Sequence, residues 1–557
     1  MIAIQGPALK TLSIGLLLAG LSAASLAQTL PSAAEVKAYA DKLLDAQKIE
    51  GPGVAVLVAR DKEVLYRSAR GMASVELGVP LSADHVFRIG SVTKQFAATA
   101  LLKLIDEGRA KLDDPLSKYL SSYPQGEKIT LLQLLNHTSG VKSYTSIPGY
   151  MDQPIRRTLT TAQLIDEFKN LPVDFQPGEG WLYNNSGYVL LGAVIEAISG
   201  KPWHEYVKEA VLKPAKLART QYPGEDLLIK GMVTGYGYGP EGLGVADYLS
   251  MTQPHAAGAL VSTVDDLWHW NQALHGGQLI SQASYKRMVT PEGKAAASNY
   301  GFGIMTGTLR GQTLYQHGGG INGFISSLSY LPQTKTTVVL LRNAMGPGVD
   351  LEAVAQKLGA FAIGKPIVDP KPIAVPADQL KALQGIYAKD EQNSRTLSFV
   401  DGKLLSTRSG GRPFPLVPIG KDEFAFEGSM ARIAIERDAK GGLSGLKFWP
   451  NGEGTPEVWK RVGDLPRVNF IELNEAQKDA LLGEYVSPQI QIKVFKDAKG
   501  VLRGQAAGQA PFELKATAPD QLLVVEVDAK LGFVMVDGRA SEMQFSQGPA
   551  KLSLKRR

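Results

Sequence analysis

The carboxy-terminal part of this sequence repeats itself at a constant offset of 98 residues. The matched positions are Leu383, Gly385, Tyr387, Pro413, Phe414 and Leu416, which recur as Leu481, Gly483, Tyr485, Pro511, Phe512 and Leu514. Short alternating segments lie between turn pairs such as Asp401-Gly402 and Asp537-Gly538, a pattern typical of β-strands joined in hairpins. A fixed offset indicates two copies of one module. We therefore predict two antiparallel β-barrel-like modules, at residues 380–462 and 473–557; one long β-domain is the alternative.

The part of the chain before the two β-modules has a different sequence pattern. Residues 35–365 carry dense helix and strand patterns and all seven histidines. The segment 366–379 contains four prolines, whose stiff, extended preference suits an interdomain linker. With 557 residues, of which 44% are hydrophobic and 20% charged, the chain is long enough for several domains with packed cores. We predict one large domain of helices and strands, a linker and two β-modules.

Composition excludes several classes of function. The net charge of +6 is spread over the chain without a basic run, which argues against a nucleic-acid partner. The sequence has no cysteine, so thiolate catalysis and cysteine-held metals are excluded. The histidines lack the i, i+4 spacing of a helical metal pair. We predict no metal site and no cofactor, and any nucleophile must be an oxygen or a nitrogen.

The amino terminus has the pattern of an export signal. Lys10 precedes an apolar stretch rich in Leu, Ala and Gly, and Ser25 and Ala27 stand at the small-residue positions of a cleavage site. A membrane anchor is the alternative, but the stretch is shorter than the roughly 20 residues needed to cross a bilayer. We predict a signal peptide over residues 1–27, no integral membrane segment after its removal, and a periplasmic or secreted protein.

The chemistry is predicted at Ser91 and Lys94. The apolar spacing from Val92 to Ile105 describes one buried face of a helix that begins at Ser91 and is capped by Gly108. Residues three apart on a helix face the same way, so the lysine amine can accept the serine proton if it is uncharged. Burial and the positive helix end both lower a lysine pKa. The same helix end directs backbone N–H groups toward a developing oxyanion.

This S-x-x-K pattern alone is weak, because Ser139 and Lys142 share it; that copy lies in a loop-like stretch and opens no apolar helix. Two further elements corroborate the first. Tyr183 and Asn185 stand just before a helix predicted over 188–198, where a phenol can carry a proton and an amide can bind a substrate carbonyl and the base.

The third element is a glycine-rich strand edge. A strand at 312–316 runs into His317-Gly318-Gly319-Gly320, where glycines would let an extended substrate lie along the edge. A similar sequence, His275-Gly276-Gly277, follows a predicted helix over 264–274, where glycine is an ordinary carboxy-terminal cap.

In this order, the three elements resemble the serine β-lactamase and penicillin-binding-protein superfamily, in particular its class C β-lactamase-like and D-aminopeptidase-like branch. The resemblance rests on Phe-Arg-Ile-Gly-Ser-Val-Thr-Lys at 87–94, Leu-Leu-Asn-His-Thr-Ser-Gly at 134–140, Trp-Leu-Tyr-Asn-Asn-Ser-Gly-Tyr at 181–188 and His-Gly-Gly at 317–319. It implies an α/β (α+β) β-lactamase/transpeptidase-like sandwich domain at residues 35–365, in front of the two β-barrel-like modules.

The resemblance also implies roles for the site residues. Ser91 would be the acylated nucleophile, Lys94 its base and Tyr183 the proton relay. The substrate would be bound by Asn185, His317, Gly319 and Gly320, with the N–H groups of Ser91 and Gly320 forming the oxyanion hole.

One departure bears on the substrate. The third motif usually begins with a lysine in true β-lactamases and cell-wall transpeptidases, where the cation helps to hold a carboxylate; here it begins with His317. His-x-Gly is typical of D-aminopeptidase-like members, some of which also have two β-barrel modules behind the catalytic domain. This resemblance favours an exported amidase or peptidase acting on small substrates that contain D-amino acids. A carboxylesterase or β-lactamase of the same family, and a non-catalytic penicillin-binding or sensory protein, are the alternatives. The expected partner is a small molecule or short peptide, and homo-oligomer formation is left open.

Overall fold

The computed structural model describes residues 30–557 except 240–241, 392, 410, 412, 428, 451, 466–468, 488–489, 507–510, 525–528 and 548–549. The predicted signal peptide lies outside the described residues. None of the helices in the described part of the chain is long and apolar enough to cross a membrane. The helices are α1 (Ala33–Asp45), α2 (Thr93–Asp106), α3 (Leu131–Leu135), α4 (Thr161–Asp166), α5 (Asn185–Ser199), α6 (Trp203–Val207), α7 (His255–Gly258), α8 (Val264–His275), α9 (Gln282–Met288), α10 (Leu351–Ala362), α11 (Ala377–Lys381) and α12 (Glu475–Leu481).

A six-stranded antiparallel sheet forms the centre of the amino-terminal domain. The strands of this domain are β1 (Val54–Arg60), β2 (Glu63–Arg70), β3 (Met72–Ser74), β4 (Val79–Pro80), β5 (Phe87–Arg88), β6 (Tyr236–Gly239), β7 (Gly242–Val245), β8 (Val261–Ser262), β9 (Met305–Leu309), β10 (Gln312–Ile321), β11 (Phe324–Leu331) and β12 (Thr336–Arg342). The sheet has the order β2-β1-β12-β11-β10-β9, and the short strands pair as β3 with β4, β5 with β8 and β6 with β7.

Helices cover both faces of this sheet, because strand β1 is apolar at nearly every position. Leu57 packs in the large core that includes α2 and α5, whereas Val56 and Val58 pack in a second core with α1 and α10. Side chains alternate between the faces of a strand, so a continuous run of Val, Ala and Leu supplies both layers. The result is the predicted α/β sandwich.

Helix α2 is more deeply buried than its sequence pattern predicted. Every residue from Thr93 to Leu102 is buried, so the expectation of a single buried face is wrong. The helix packs against α5 and α7, and also contacts α6 and α9. Polar residues at its first turn, including Lys94, are therefore buried together with the apolar ones.

Two closed eight-stranded antiparallel barrels follow, as the fold-class prediction required. The strands of barrel 1 are β13 (Gly385–Ala388), β14 (Ser394–Val400), β15 (Lys403–Arg408), β16 (Pro413–Pro418), β17 (Glu423–Phe426), β18 (Arg432–Arg437), β19 (Leu443–Trp449) and β20 (Glu457–Gly463). Those of barrel 2 are β21 (Gly483–Val486), β22 (Gln491–Lys496), β23 (Leu502–Ala506), β24 (Phe512–Ala518), β25 (Gln521–Val524), β26 (Ala529–Val536), β27 (Arg539–Gln547) and β28 (Ala550–Arg556).

The repeated Leu-x-Gly-x-Tyr pattern has a structural reason. In each barrel the tyrosine is fully buried on the first strand, and its hydroxyl donates a hydrogen bond to the carbonyl of the repeated leucine. The distance is 2.9 Å from Tyr387 to Leu383 and 2.8 Å from Tyr485 to Leu481. A buried phenol needs such a partner, so the motif fixes how the chain enters each barrel.

Candidate active site

Ser91 lies in a tight turn at the start of α2. The turn is a 3-10 helix, Gly90–Val92, and the α-helix proper begins at Thr93, two residues later than predicted. Gly90 adopts a φ of +50°, a conformation that favours glycine. The spacing from Ser91 to Lys94 is retained, and the Lys94 Nζ lies 3.1 Å from the Ser91 Oγ. The nucleophile and base expected from the sequence are thus in contact.

The lysine amine is surrounded by oxygen atoms. Besides the Ser91 Oγ, the Nζ lies 2.8 Å from the side-chain oxygen of Asn185 and 2.8 Å from the carbonyl oxygen of Ala257 in α7. A neutral amine has two hydrogens and one lone pair. It can donate to Asn185 and Ala257 and leave the lone pair for the serine proton.

Burial favours this neutral form. The side chain of Lys94 is 0% exposed, and desolvation holds its pKa well below that of a free lysine. Removal from water disfavours a charge, and the amine makes no ion pair with any described carboxylate. The site therefore contains an uncharged base next to a hydroxyl.

Tyr183 lies beside the same amine. Its ring centroid is 4.7 Å from the Lys94 Nζ, and its hydroxyl interacts with the side chain of Ser91. Burial raises the pKa of Tyr183, and the interaction with Ser91 opposes that shift only in part. The phenol is therefore protonated at neutral pH and can give a proton to a departing group.

The segment 136–145 holds the loop that carries Tyr183 and Asn185. The ring nitrogen Nδ1 of His137 accepts a hydrogen bond of 3.3 Å from the backbone N–H of Asn184, the residue that caps α5. The Ser143 hydroxyl accepts from the Asn185 N–H, and the Asn185 amide donates to the hydroxyl of Thr145. This positioning role was not predicted, because the sequence of the segment showed only a family motif and a second S-x-x-K pattern.

The second S-x-x-K pattern lies in this segment without forming a second site. The Ser139 Oγ accepts a hydrogen bond from the Val141 N–H, while the Lys142 Nζ pairs with the carboxylate of Asp174 at 2.7 Å. The two side chains thus have separate partners. The prediction for His275-Gly276-Gly277 is also confirmed: α8 ends at His275, and Gly276 is its carboxy-terminal cap.

Strand β10 brings its glycines against the turn that carries Ser91. Its pairing with β9 covers residues 312–316, whereas its pairing with β11 continues to Ile321. Beyond Gln316 the other edge of β10 therefore faces the Gly90–Val92 turn. A Cβ added at Gly90 would lie 3.0 Å from the backbone nitrogen of Gly320, which shows how closely these elements approach.

Gly319 and His317, which were predicted to bind the substrate, lie against the turn with Ser91 and in the domain interior, respectively. Gly319 packs on the turn, where a Cβ would lie 2.1 Å from the carbonyl oxygen of Ile89. His317 is 4% exposed; its Nδ1 donates to the Gly318 carbonyl and its Nε2 lies 2.8 Å from the hydroxyl of Tyr300. Both ring nitrogens are thus occupied, because the ring points into the domain.

The His317 ring is also uncharged at neutral pH. Burial lowers the pKa of His317 to about 4. The third motif consequently supplies no cation. Tyr300, its hydrogen-bond partner, follows a helix and a turn in the sequence and carries no motif that could have identified it.

A cavity of about 260 Å³ opens in front of Ser91. All described residues that line it precede Pro370, and they are apolar or uncharged: Gly90, Ser91, Tyr144, Thr145, Met151, Ile155, Asn185, Leu249, Pro254, Ala257, Gly258, Gly320, Ile321, Asn322 and Met345. Among the residues that the structure describes, no three His, Asp or Glu side chains come close enough to hold a metal ion.

We expect Gly319→Ala to lower kcat/KM about 100-fold. The new methyl group would lie 2.1 Å from the Ile89 carbonyl and 2.3 Å from the Ser326 Oγ, so β10 must move away from the turn with Ser91. A displacement of about 1 Å costs roughly that factor in a positioned reaction. The matched control is Gly318→Ala, whose Cβ would meet only the Ser326 carbonyl at 3.5 Å. If both variants hydrolysed a nitrophenyl ester at the same rate, the close packing of Gly319 on the turn would not be needed for activity.

The site combines a buried neutral lysine beside a serine with a protonated phenol and a strand edge at the mouth of a cavity. This combination is typical of serine hydrolases that use a lysine as the base. The comparisons with known proteins agree. Residues 36–361 match the Beta-lactamase family, and the chain belongs to that family. It is a serine hydrolase of the D-aminopeptidase-like branch within the serine β-lactamase and penicillin-binding-protein superfamily.

Three relatives illustrate the range of similarity. PbpX of Bacillus subtilis (strain 168), named as a penicillin-binding protein, is 30% identical over 300 residues, which cover 52% of this chain and 70% of that protein. A D-aminopeptidase of Brucella anthropi is 27% identical over 460 residues, or 82% of each chain. The solved structure of the octameric penicillin-binding protein homologue from Pyrococcus abyssi has 25% identity and a TM-score of 0.55, covering 77% of this chain and 99% of that chain.

Proposed function

We propose that the chain is an exported hydrolase that forms an acyl-enzyme at Ser91 and cleaves amide bonds in small substrates containing D-amino acids. The observation that carries the proposal is the uncharged Lys94 amine, which has two acceptors for its hydrogens and the Ser91 Oγ at 3.1 Å from its lone pair. Similarity to a D-aminopeptidase over 460 residues supports the substrate class, because it extends beyond the family domain into the barrels.

The reaction follows from this geometry. The Ser91 hydroxyl gives its proton to the Lys94 Nζ while the Oγ attacks the substrate carbonyl. The negative charge on the carbonyl oxygen is stabilised by the N–H groups of Ser91 and Gly320, which lie on adjacent elements. Tyr183 protonates the leaving amine and is reprotonated by the Lys94 Nζ, which carries the proton taken from Ser91. Water then hydrolyses the ester by the reverse sequence.

The uncharged state of His317 bears on the choice between an amidase and a β-lactamase. In relatives whose third motif begins with a lysine, the cation helps to hold the carboxylate of penicillins and peptides, whereas His317 is buried and uncharged. This favours an amidase over a β-lactamase. The non-catalytic alternative has support from the names of PbpX and the Pyrococcus abyssi homologue, so it must be tested directly.

We expect D-alanine p-nitroanilide to be hydrolysed with a kcat/KM at least about 100-fold above that of its L-isomer and of a chromogenic cephalosporin. The preference for the D-isomer over the L-isomer arises because only one enantiomer presents its carbonyl to Ser91 with its side chain in the cavity. Rates on a short-chain nitrophenyl ester, measured in the same panel, test the esterase alternative. Faster ester cleavage with no D-preference would overturn the substrate assignment.

The same preparation tests export and the covalent step. We expect protein recovered from the periplasm of a bacterial host to have the intact mass of a chain lacking residues 1–27. A substrate trapped on Ser91 should add its acyl group to that mass, and Ser91→Ala should add nothing. A stable penicillin adduct without turnover of any amide or ester would instead support the binding protein.

A further inference from the structure

Barrel 1 contains a buried arginine surrounded by aromatic rings. Arg395 on β14 points inward and is 6% exposed. Its guanidinium carbon lies 4.3 Å from the ring centroid of Phe448, 5.3 Å from Trp459 and 5.4 Å from Phe426. The Nη1 donates a hydrogen bond of 2.9 Å to the Oγ of Ser406, which is itself fully buried. The side chain is thus held in one orientation.

This buried cation has no anionic partner among the described residues. No carboxylate lies within ion-pair distance of Arg395, and its Nε is buried without a hydrogen-bond acceptor. Glu457 attracts it from farther away, but that carboxylate is engaged by the Lys389 amine at 3.3 Å. Aromatic faces offset part of the desolvation of a guanidinium, and the Nη1 donates to Ser406, but the buried Nε has no acceptor.

The guanidinium lies at one mouth of the barrel. Arg395 is the second residue of β14, Phe426 is the last of β17 and Phe448 is the penultimate residue of β19. These strand ends meet at the same end of the barrel, because neighbouring strands run antiparallel. Helix α11 precedes the first strand at the opposite end and packs against β14 and β15. Barrel mouths are common ligand sites, because they combine an apolar wall with access from solvent.

Barrel 2 shows that the fold needs no charge at this place. The strand pairing shows which residues of the two barrels correspond. Arg395 corresponds to Ile492, because they pair with the repeated tyrosines Tyr387 and Tyr485. Ser406 corresponds to Gly504, because they pair with Leu397 and Val494 at the next inward positions. By the same reasoning Phe426, Phe448 and Trp459 correspond to Val524, Phe545 and Leu554. The copy in barrel 2 is entirely apolar, so the arginine and serine are a specific property of barrel 1.

We propose that the mouth of barrel 1 binds a small monoanionic carboxylate carried on an apolar or aromatic chain. The planar guanidinium edge with its free Nε matches the two oxygens of a carboxylate. The single charge matches a monoanion, and the rings of Phe426, Phe448 and Trp459 would enclose its apolar part. This site is separate from the cavity at Ser91, which is lined only by residues that precede Pro370.

The test uses the full-length mature chain and equilibrium dialysis at constant ionic strength, with 3-phenylpropionate as the probe and 3-phenyl-1-propanol as its uncharged counterpart. We expect Arg395→Met to weaken binding of the carboxylate at least about tenfold, since the charge-assisted pair is lost. Arg432→Met is the matched control, because Arg432 also stacks on a ring of barrel 1, that of Trp449 at 4.6 Å, but alternates with the buried Ile433 and so lies on the outer face of β18. It should leave the affinity within twofold of wild type.

The alcohol should bind to wild type at least about tenfold more weakly than the carboxylate and should not respond to Arg395→Met. Should the methionine variant fail to fold, Arg395→Lys keeps the charge without the planar fork and should still weaken binding severalfold. The proposal is overturned if the Arg395 variants bind the carboxylate as wild type does, or if wild type retains none at millimolar concentration.

Discussion

Lys94→Met is expected to lower kcat/KM on the order of 10⁴-fold, because Ser91 then has no group to accept its proton. The folded protein should be at least as stable as wild type, since the replaced amine is fully buried and carries no ion pair. Activity should be measured on the substrate of the panel that is turned over fastest, and stability by thermal unfolding. Methionine has nearly the shape of lysine, so a large loss of rate without a loss of Tm isolates the chemistry.

The sequence supplies its own control for this variant. Lys142 stands in the second S-x-x-K pattern and pairs with Asp174 at 2.7 Å, away from Ser91. Lys142→Met should change kcat/KM by less than about threefold, as expected when only a partly exposed ion pair is lost. If the two methionine variants were equally impaired, the assignment of Lys94 as the base would be wrong.

The pH dependence of the rate gives a second measure of the same group. Burial holds the pKa of Lys94 well below that of a free lysine, which favours the unprotonated amine that the reaction requires. Acidification protonates it, and kcat/KM should fall on the acid side. Chemical rescue of Lys94→Ala by small amines, with a rate that rises with the concentration of unprotonated amine, would identify the missing function as proton transfer.

The free energy of unfolding is expected to fall steeply as the pH drops from about 6.5 toward 4. Burial lowers the pKa of His275 to about 3, of His255 to about 3 and of His317 to about 4. In the unfolded chain these rings titrate near 6.5. Between the two values the unfolded state binds protons that the folded state excludes, so acid favours unfolding. Each group contributes a slope of about 1.4 kcal/mol per pH unit.

His275→Phe tests one of these contributions. The His275 ring stacks on Tyr330 with centroids 4.0 Å apart, and its Nδ1 lies 2.8 Å from the hydroxyl of Tyr285. Phenylalanine keeps the stacking and cannot titrate, so the slope of stability against pH should decrease by about 1.4 kcal/mol per pH unit. Tyr285→Phe removes the same hydrogen bond but keeps the titrating ring, and its slope should equal that of wild type. Denaturant unfolding at pH 7, 6 and 5 distinguishes the two variants.

The parts of the fold that could be predicted from sequence are those with a local or repeated signal. The 98-residue repeat identified the two barrels because each copy must satisfy the same buried tyrosine hydroxyl. The spacing of Ser91 and Lys94 placed both on one turn, and that relation survived a two-residue shift in the start of the helix. Signals of this kind depend on neighbours in the chain.

The parts that could not be predicted depend on distant contacts. The Ala257 carbonyl, which binds the Lys94 amine, is a backbone group with no side-chain signal. The complete burial of α2 depends on which elements pack around it, and amphipathic spacing reports only one face. The inward direction of His317 depends on its bond to Tyr300, a residue brought near by the sheet. Motifs identified the residues of the site but not the direction in which each one points.

The closed barrels also bear on how such a chain can be rearranged. In barrel 1 the first strand, β13, pairs with the last, β20, and in barrel 2 strand β21 pairs with β28. The chain therefore enters and leaves each barrel on adjacent strands, and the barrel leaves no unpaired sheet edge. A unit of this kind can be duplicated, exchanged or deleted by joining two neighbouring chain ends. This topology gives a physical reason why gene duplication could produce a tandem pair whose members then acquired different interiors.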